Sequence, residues 1–390
     1  MVAQTRHGGQ SPRQKITFHG QLAGKGVTTD ALLKKLKALH DQLAVLDQEK
    51  VDVNSLSTAR TELIHVSLLL HKDRGVKAYT ACCLADILRL YAPEAPYTQH
   101  ELRDIFQFFF RQLSAGLKGT EEPYYNEYFH LLESLSTVKS VVLVCDLPSS
   151  DELLHEIFKD LFTIVRRDFT MKIEIFMADI LAALIDECTS LPNDVLEVIM
   201  AQFMEKNAVC NQSPTHLYFS FYPSPMLTFL FTQRIEQPGY RLAVQVCNAS
   251  ADKLQRHICQ YFGDLLTSIE GDEDLDNIRT SHELVKRLHH SCPAVLHSVI
   301  PILETELRAD GINPRIIATQ TLGEMYADKG GRDLARKYPS TWQAWINRRA
   351  DIAVPVRLKC VEAIPGLLSN LPECKEALEG TVNLFVVGRT

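Results

Sequence analysis

Two short segments of this sequence resemble metal-binding motifs. The run His282-Glu283-Leu284-Val285-Lys286 begins like a zinc-protease helix, in which two histidines one turn apart hold the metal. Lys286 occupies the position of the second histidine, so the metal pair is missing. Just downstream, His289, His290 and Cys292 could also ligate a metal, but we favour the simpler interpretation of a partly exposed helix end.

The segment Gly20 to Gly26 resembles a phosphate-binding loop. It is one residue short, lacks the Ser or Thr that would hold magnesium, and follows no predicted strand. The sequence also lacks a Gly-x-Ser-x-Gly elbow and a Gly-x-Gly-x-x-Gly fingerprint, and the acidic run at 270–274 lies in an evident loop. We therefore expect no catalytic residues, no metal site and no cofactor, and interpret the chain as a non-enzymatic scaffold.

The elements that carry these residues are predicted to be helices. Within residues 30–48, leucines recur at steps of four and three positions, which places them on one stripe of a helix that begins at Thr29 or Asp30. Segments 98–101 and 149–152 read as capping boxes that begin two further helices. Strand patterns are nearly absent, because even Val141–Val144 could equally end a helix. The predicted fold class is all-α.

A weak repeat supports one particular all-α architecture. An acidic residue precedes a basic residue and then an apolar helix at 73–77, 168–172, 310–315 and 351–357. Helix-pair repeats of the HEAT and armadillo kind recur every 40–47 residues or so. We predict a HEAT-type helical-repeat solenoid, a curved array of stacked antiparallel helix pairs. In such repeats the acidic residue caps the second helix and the basic residue reaches a neighbouring repeat.

Composition narrows the classes of partner. The 390 residues are 46% hydrophobic and carry a net charge of −7, so a strongly basic nucleic-acid surface is not expected. Lys34, Lys35, Lys37 and Arg89 are interpreted as a solvated helix face, with weak or absent direct DNA binding. The ten cysteines contain no Cys-x-x-Cys pair, and no apolar run approaches a membrane span. With a polar N-terminus, these features predict a reducing cytosolic or nuclear compartment.

The connector between two helices at 92–97 is the most distinctive local feature. Pro93 and Pro96 fix φ and remove two backbone donors, which predicts a short, rigid segment near polyproline II, followed by Tyr97 on a presented turn. One interpretation is a ledge on which a short partner peptide docks; the alternative is a helix joint in which Tyr97 packs locally. The predicted peptide-binding residues are Arg89, Tyr91, Pro93, Glu94, Pro96 and Tyr97.

The same region resembles a known family. Residues 81–98 read ACCLADILRLYAPEAPYT, which closely resembles the hallmark of the precocious-dissociation-of-sisters cohesin regulators. The resemblance continues through LRDIFQFFFRQL at 102–113 and DIAVPVRLKCVEA at 351–363, and covers most of 30–205 and 237–372.

This resemblance implies a HEAT array that acts in the nucleus on chromosomes. The implied partners are the cohesin complex, mainly through its kleisin subunit, the Wapl-type releasing factor and the cohesin acetyltransferase. It also implies that the 92–97 connector binds short peptides of such regulators. The alternative that periodicity alone permits is a general helical-repeat adaptor, such as a nuclear transport receptor or a phosphatase scaffold.

Two segments depart from the family. Residues 209–233 are rich in Phe, Leu, Ser, Pro and Tyr, whose codons are pyrimidine-rich, and we expect a translated, unspliced intron; a hydrophobic loop is the alternative. Because family members are several times longer, we also expect an N-terminal fragment. The predicted organisation is a flexible tail at 1–27, HEAT repeats at 28–207, the doubtful insert at 208–236, further repeats at 237–372 and a divergent end at 373–390.

Overall fold

The secondary structure is helical, as predicted. In the part of the chain that the structure describes there is no strand, only one isolated parallel bridge between Gln14 and Val51. The chain divides into two units, one formed by residues 1–195 and 232–242 and the other by residues 196–231 and 243–390. The predicted insert and divergent end lie outside the described residues. The computed structural model describes residues 13–18, 21–22, 24, 26–204, 237–267 and 275–370.

The first unit is built from two layers of helices. Helices α1, α4, α6 and α8 pack in sequence against one another, while α5 packs against α7. Short 3₁₀ helices at Val53–Leu56 and Ser140–Asp146 connect them, so the apolar run at 141–144 is helical. The helices are α1 (Thr29–Ala44), α2 (Ser57–Leu63), α3 (Val66–Leu69), α4 (Arg74–Tyr91), α5 (Gln99–Gly116), α6 (Tyr125–Val138), α7 (Ser150–Ile164) and α8 (Met171–Glu187).

Helix α4 lies at the centre of this unit. Apart from a few positions near its ends it is buried all round, as expected of a helix that is enclosed by neighbours on both sides. Small residues permit the close approach: a Cβ on Gly75 would lie 2.5 Å from the Tyr124 ring. At its start, Asp73 caps the helix by accepting a hydrogen bond from Val76 N–H at 2.9 Å. The acidic residue of the first predicted repeat motif therefore has its expected role.

The predicted N-caps of three helices have different outcomes in the structure. Thr98 and Glu101 form the predicted capping box at α5, with both reciprocal hydrogen bonds present. The predicted box at 149–152 is wrong: Ser149 has a φ of 54°, and its side chain caps nothing. Its carbonyl instead accepts a hydrogen bond from Arg103 at 2.9 Å. The N-cap of α1 is Thr28, whereas the leucine pattern predicted Thr29 or Asp30 as the N-cap.

Part of the predicted flexible tail is packed. Ile16 and Leu22 are 5% and 2% exposed, respectively. The backbone N–H of Leu22 donates to Glu62 Oε2 at 2.8 Å, and Thr17 N–H donates to Gln42 Oε1 at 2.9 Å. Two buried apolar side chains and these hydrogen bonds hold the segment against α1 and α2. The prediction of a tail that is flexible throughout 1–27 is therefore wrong for these residues.

The second unit continues the helical pattern. Helices α9 (Asn193–Met204) and α10 (Pro238–Ala249) each contribute residues to both units. Helix α12 packs against α14, and α14 against α17. The remaining helices are α11 (Ala251–Thr267), α12 (Leu275–Ser291), α13 (Ile300–Leu307), α14 (Ile312–Ala327), α15 (Gly331–Lys337), α16 (Pro339–Asn347) and α17 (Val354–Asn370).

The contact between α14 and α17 depends on a glycine. A Cβ on Gly323 would lie 2.9 Å from the Cβ of Ala363 and 3.2 Å from the Trp345 ring, so only glycine permits this spacing. Trp345 is 1% exposed, and its indole N–H donates to Thr319 O at 2.8 Å. The buried indole is thus both packed and hydrogen-bonded, as a stable core requires.

One bent pair of helices has the length and composition of a possible membrane span. Within the described ranges, no single helix combines the length and apolarity needed to cross a bilayer. The pair α6 and the following 3₁₀ helix, which meet at 67°, meets that test by length and composition alone.

Candidate functional site

The connector between α4 and α5 is a series of turns. Turns and bends occupy most of the backbone from Ala92 to Tyr97, although Ala92 itself has φ −50° and ψ 143°, so a continuous polyproline II conformation is wrong for this segment. Helix α4 ends at Tyr91, and α5 begins at Gln99 behind its Thr98 cap. Because helix ends bound the segment on both sides, its position is set by both helices.

Side chains from earlier elements hold this connector in place. Gln48 Nε2 donates a hydrogen bond to Ala92 O. Arg60 Nη1 donates to Pro96 O at 3.0 Å. The two contacts satisfy carbonyls near the beginning and the end of the connector, which therefore has a defined shape before any partner binds. Sequence reasoning missed both side chains, because no local pattern relates them to the connector.

Tyr97 is a core residue. It is 9% exposed, and its hydroxyl donates to Arg60 O at 3.4 Å. Burial raises the pKa of this phenol well above its usual range. The presented turn predicted for Tyr97 is therefore wrong, and the alternative of local packing describes it.

The other predicted residues of the connector reach the surface together. Pro93 and Glu94 are exposed, and Tyr91 and Pro96 are half-buried. The Tyr91 hydroxyl donates to Val53 O at 3.2 Å, which restrains the ring. These four residues, which we call the connector ledge, are all accessible to solvent at least in part and include one carboxylate.

Arg89 forms its hydrogen bonds with the end of α1 and with Asp86 and is not part of the connector ledge. Its guanidinium donates to Leu43 O at 2.8 Å and to Leu46 O at 3.0 Å, carbonyls at and beyond the end of α1. The same group contacts Asp86 Oδ1 through two nitrogens, at 3.2 and 3.3 Å. With all these partners, Arg89 joins α4 to the end of α1 and is poorly placed to contact a ligand or DNA phosphates.

Asp86 is the centre of a polar cluster that sequence reasoning missed. Its side chain is 1% exposed, and Oδ2 lies 3.3 Å from His40 Nδ1 and 3.5 Å from His130 Nε2. Burial raises the pKa of this carboxyl, but the neighbouring His130 and His40 rings and Arg89 lower it to about 2. The carboxylate is therefore ionised. One acidic residue within the apolar run ACCLADIL was the available signal.

The histidine motifs of the second unit are structural. His282 is 2% exposed and lies between Thr321 Oγ1 at 3.0 Å and Glu306 Oε2 at 2.9 Å. His289 and Cys292 are also buried, so the interpretation of a partly exposed helix end is wrong for these two. His289 borders a cavity of about 500 Å³ between α12, α13, α15 and the turns that join them.

Two of the four basic residues of the repeat motif cross to a neighbouring element, as predicted, whereas Arg357 donates locally to Asp351 O and Ile352 O. Lys172, on α8, donates to Glu133 Oε1 on α6 at 2.9 Å. Arg315, on α14, donates to both carboxylate oxygens of Asp351, at 3.1 and 3.3 Å. Stacked helix pairs linked in this way define a helical-repeat protein of the HEAT type.

Comparison with known proteins then identifies the family. The sequence model described as sister chromatid cohesion protein PDS5 matches residues 30–384. The chain is 35% identical over 369 residues to the sister chromatid cohesion protein pds5 of Schizosaccharomyces pombe, and 32% identical over 356 residues to PDS5 of Saccharomyces cerevisiae. It belongs to the PDS5 family.

A solved relative shares the fold. The chain resembles the structure of a Pds5–Scc1 complex with a TM-score of 0.82 and 30% identity, over 95% of this chain and 55% of that one. This likeness, with the all-helical elements, confirms the HEAT-repeat fold class. The alignments include 92% and 90% of this chain but only 28% and 26% of the two yeast relatives. This chain therefore spans roughly a quarter of their length.

Proposed function

We propose that this chain is part of a non-enzymatic scaffold that binds cohesin and its regulators and so maintains sister chromatid cohesion on chromosomes in the nucleus. The observation that carries the proposal is the family match over residues 30–384. The relatives are named for sister chromatid cohesion, and the solved relative is in complex with Scc1. On this basis we include the kleisin subunit of cohesin among the partners.

The proposed surface for regulators is the connector ledge. Its backbone is fixed by Gln48 and Arg60, so a peptide that binds there loses its own freedom without also having to order the protein. Pro93 and Tyr91 offer apolar surface, and the exposed Glu94 carboxylate favours a peptide that carries a basic residue. The Wapl-type releasing factor and the cohesin acetyltransferase are the proposed sources of such a peptide.

The scaffold proposal is tested by affinity purification of the full chain from nuclear extract. We expect cohesin subunits to be recovered with it. Recovery of importin or phosphatase subunits without cohesin would instead support the general adaptor. Binding to bare duplex DNA is expected to be weak, because Arg89 is engaged internally and Lys35 Nζ donates to Gln21 O.

The ledge is tested separately with two charge reversals. Glu94→Lys should weaken binding of a basic regulator peptide by about tenfold, the effect of losing one exposed charge contact and gaining a repulsive one. Glu121→Lys is the matched control, because Glu121 is also exposed but lies in the loop between α5 and α6. Fluorescence anisotropy measures the affinity for the peptide. Equal affinity of both variants and the parent would reject the ledge as the peptide site without contradicting the proposal that the chain binds cohesin.

A further inference from the structure

His40, Asp86 and His130 are gathered from three helices into one cluster. His40 lies on α1, Asp86 on α4 and His130 on α6, and α4 packs between the other two. One ligand atom from each residue lies within 4.8 Å of the other two. Nothing in the scaffold proposal uses these three side chains together.

The spacing within the cluster matches the ligands of one small metal ion. Asp86 Oδ2 lies 3.3 Å from His40 Nδ1 and 3.5 Å from His130 Nε2. Two ligands about 2.0–2.2 Å from a zinc ion, at the tetrahedral angle, are about 3.3–3.5 Å apart. The separation between the two histidine nitrogens is also below 4.8 Å, and a rotation of the partly exposed His130 ring can shorten it.

The hydrogen bonding of the cluster leaves ligand atoms available. His130 Nε2 is inaccessible to solvent, and its contact with Asp86 Oδ2 at 3.5 Å is long for a hydrogen bond. Arg89 contacts only Oδ1 of Asp86, which orients the carboxylate and leaves Oδ2 towards the histidines. A metal ion between the two atoms would give this nitrogen a stronger partner.

The donor set selects the class of metal. Two imidazole nitrogens and one carboxylate oxygen suit zinc and its neighbours, whereas magnesium and calcium prefer oxygen ligands alone. The ionised Asp86 carboxylate supplies negative charge next to the ion, and Arg89 contacts the other oxygen of that carboxylate, Oδ1.

We infer that His40, Asp86 and His130 form a zinc-type site that joins α1, α4 and α6, with water as the fourth ligand. His130 has a side chain that is 32% exposed, which gives an entry path from solvent. Bound metal would connect α1, α4 and α6, which pack against one another in that order. The site therefore ties the first unit together and raises its melting temperature when zinc is present.

The first experiment measures zinc binding by the full chain in equilibrium dialysis with Zn²⁺ alone. We expect one ion per chain. His130→Asn and His40→Asn should each weaken binding by more than the roughly 10–100-fold that loss of an outer-shell partner causes. His290→Asn is the matched control, because His290 pairs with a different carboxylate, Asp328 at 3.1 Å, and should bind zinc like the parent.

The second experiment replaces zinc with Co²⁺ and records the visible spectrum of the unmodified chain. We expect tetrahedral bands without thiolate charge transfer. Thiolate bands would place the metal on cysteines, of which Cys145 and Cys188 have sulfurs 3.4 Å apart, and would overturn the site. Absence of zinc binding, or binding unchanged in both histidine variants, would overturn it too. If His40→Asn fails to fold, the more exposed His130 variant and the cobalt spectrum decide.

Discussion

Each unit contains a buried carboxylate that contacts side chains from other helices, but the two carboxylates have different partners. Asp86 in the first unit faces two histidines and Arg89, and Asp351 in the second faces Arg315 and Arg348. In each case one arginine is three residues away on the chain and the longer-range partners come from other helices.

The partners determine what each carboxylate can do. The Asp351 carboxylate accepts a hydrogen bond from Ala353 N–H at 2.9 Å, two from Arg315 and one from Arg348. Its guanidinium partners stay charged and cannot bind a metal. Around Asp86, one guanidinium group, that of Arg89, is joined by two imidazoles, and imidazoles can bind a metal ion. The same type of buried carboxylate thus gives a permanent crosslink in one unit and a candidate ligand site in the other.

The largest expected effect comes from Asp86→Asn. Removal of this charge leaves Arg89 and two histidines around a buried neutral amide, and loss of one partner of a buried ion pair costs about 3–5 kcal/mol. The free energy of unfolding from urea titration measures the loss. Asp276→Asn is the control, because Asp276 is 90% exposed in its ion pair with Arg279 and should change stability by less than about 1 kcal/mol. Equal effects of the two variants would contradict the role of Asp86.

Asp351→Asn should cost somewhat less, about 2–3 kcal/mol, although its side chain is only 3% exposed. The amide oxygen of Asn can still accept the hydrogen bond that Ala353 N–H donates to Asp351, and this retained bond limits the penalty. The same urea titration tests this ranking. A loss larger than that of Asp86→Asn would reverse the comparison.

The contribution of Asp351 should depend on pH in one direction. Burial raises its pKa, but the hydrogen bond from Ala353 and the two arginines lower it, with a net value below the usual 3.8. Because the folded pKa is depressed, the stabilisation is present above the unfolded pKa and is lost as pH falls through the folded value. The difference in free energy of unfolding between the parent and Asp351→Asn should therefore be constant from neutral pH to about 5 and disappear below about 4. A gap that closes between pH 5 and 7 would contradict this assignment.

The smallest expected losses of stability come from replacing the arginine that lies three residues from each carboxylate. Arg89→Lys should cost about 1–2 kcal/mol, because it loses hydrogen bonds to Leu43 O and Leu46 O as well as to Asp86. Arg348→Lys should cost less than about 1 kcal/mol, since Arg315 still holds Asp351. Melting curves of the two variants test the difference, and equal losses would show that the α1 carbonyl contacts of Arg89 contribute little.

Local sequence predicted much of the helical framework. The leucine stripe of α1 is buried as expected, with Leu32, Leu36, Leu39 and Leu43 facing the interior. The capping box of α5 is present because Thr98 and Glu101 need only each other and the adjacent backbone. Ser149 has the same local pattern, but its positive φ and the long-range contact with Arg103 prevent capping. Patterns that close within one turn are predicted well, and patterns that depend on a distant partner are not.

The connector shows the same limit within the candidate site. Two prolines identified a rigid segment, and Pro93 and Glu94 are exposed as a ledge requires. The burial of Tyr97 follows from packing near Arg60, on a helix that precedes α4 in the chain. Its peptide-binding role, like the interpretation of 209–233 as an unspliced intron, stays a prediction. Transcript sequence across 205–237 tests the intron.

The sequence by itself determined the helical class, the period of the repeat and the family, because these depend on residue spacing along the chain. Only the tertiary structure showed that Asp86 meets His40 and His130, since His40 lies 46 residues before Asp86 and His130 lies a similar distance after it. Stacking successive repeats brings residues about one period apart into contact. How the helices pack decides which residues meet, and therefore whether a given carboxylate contacts histidines or arginines.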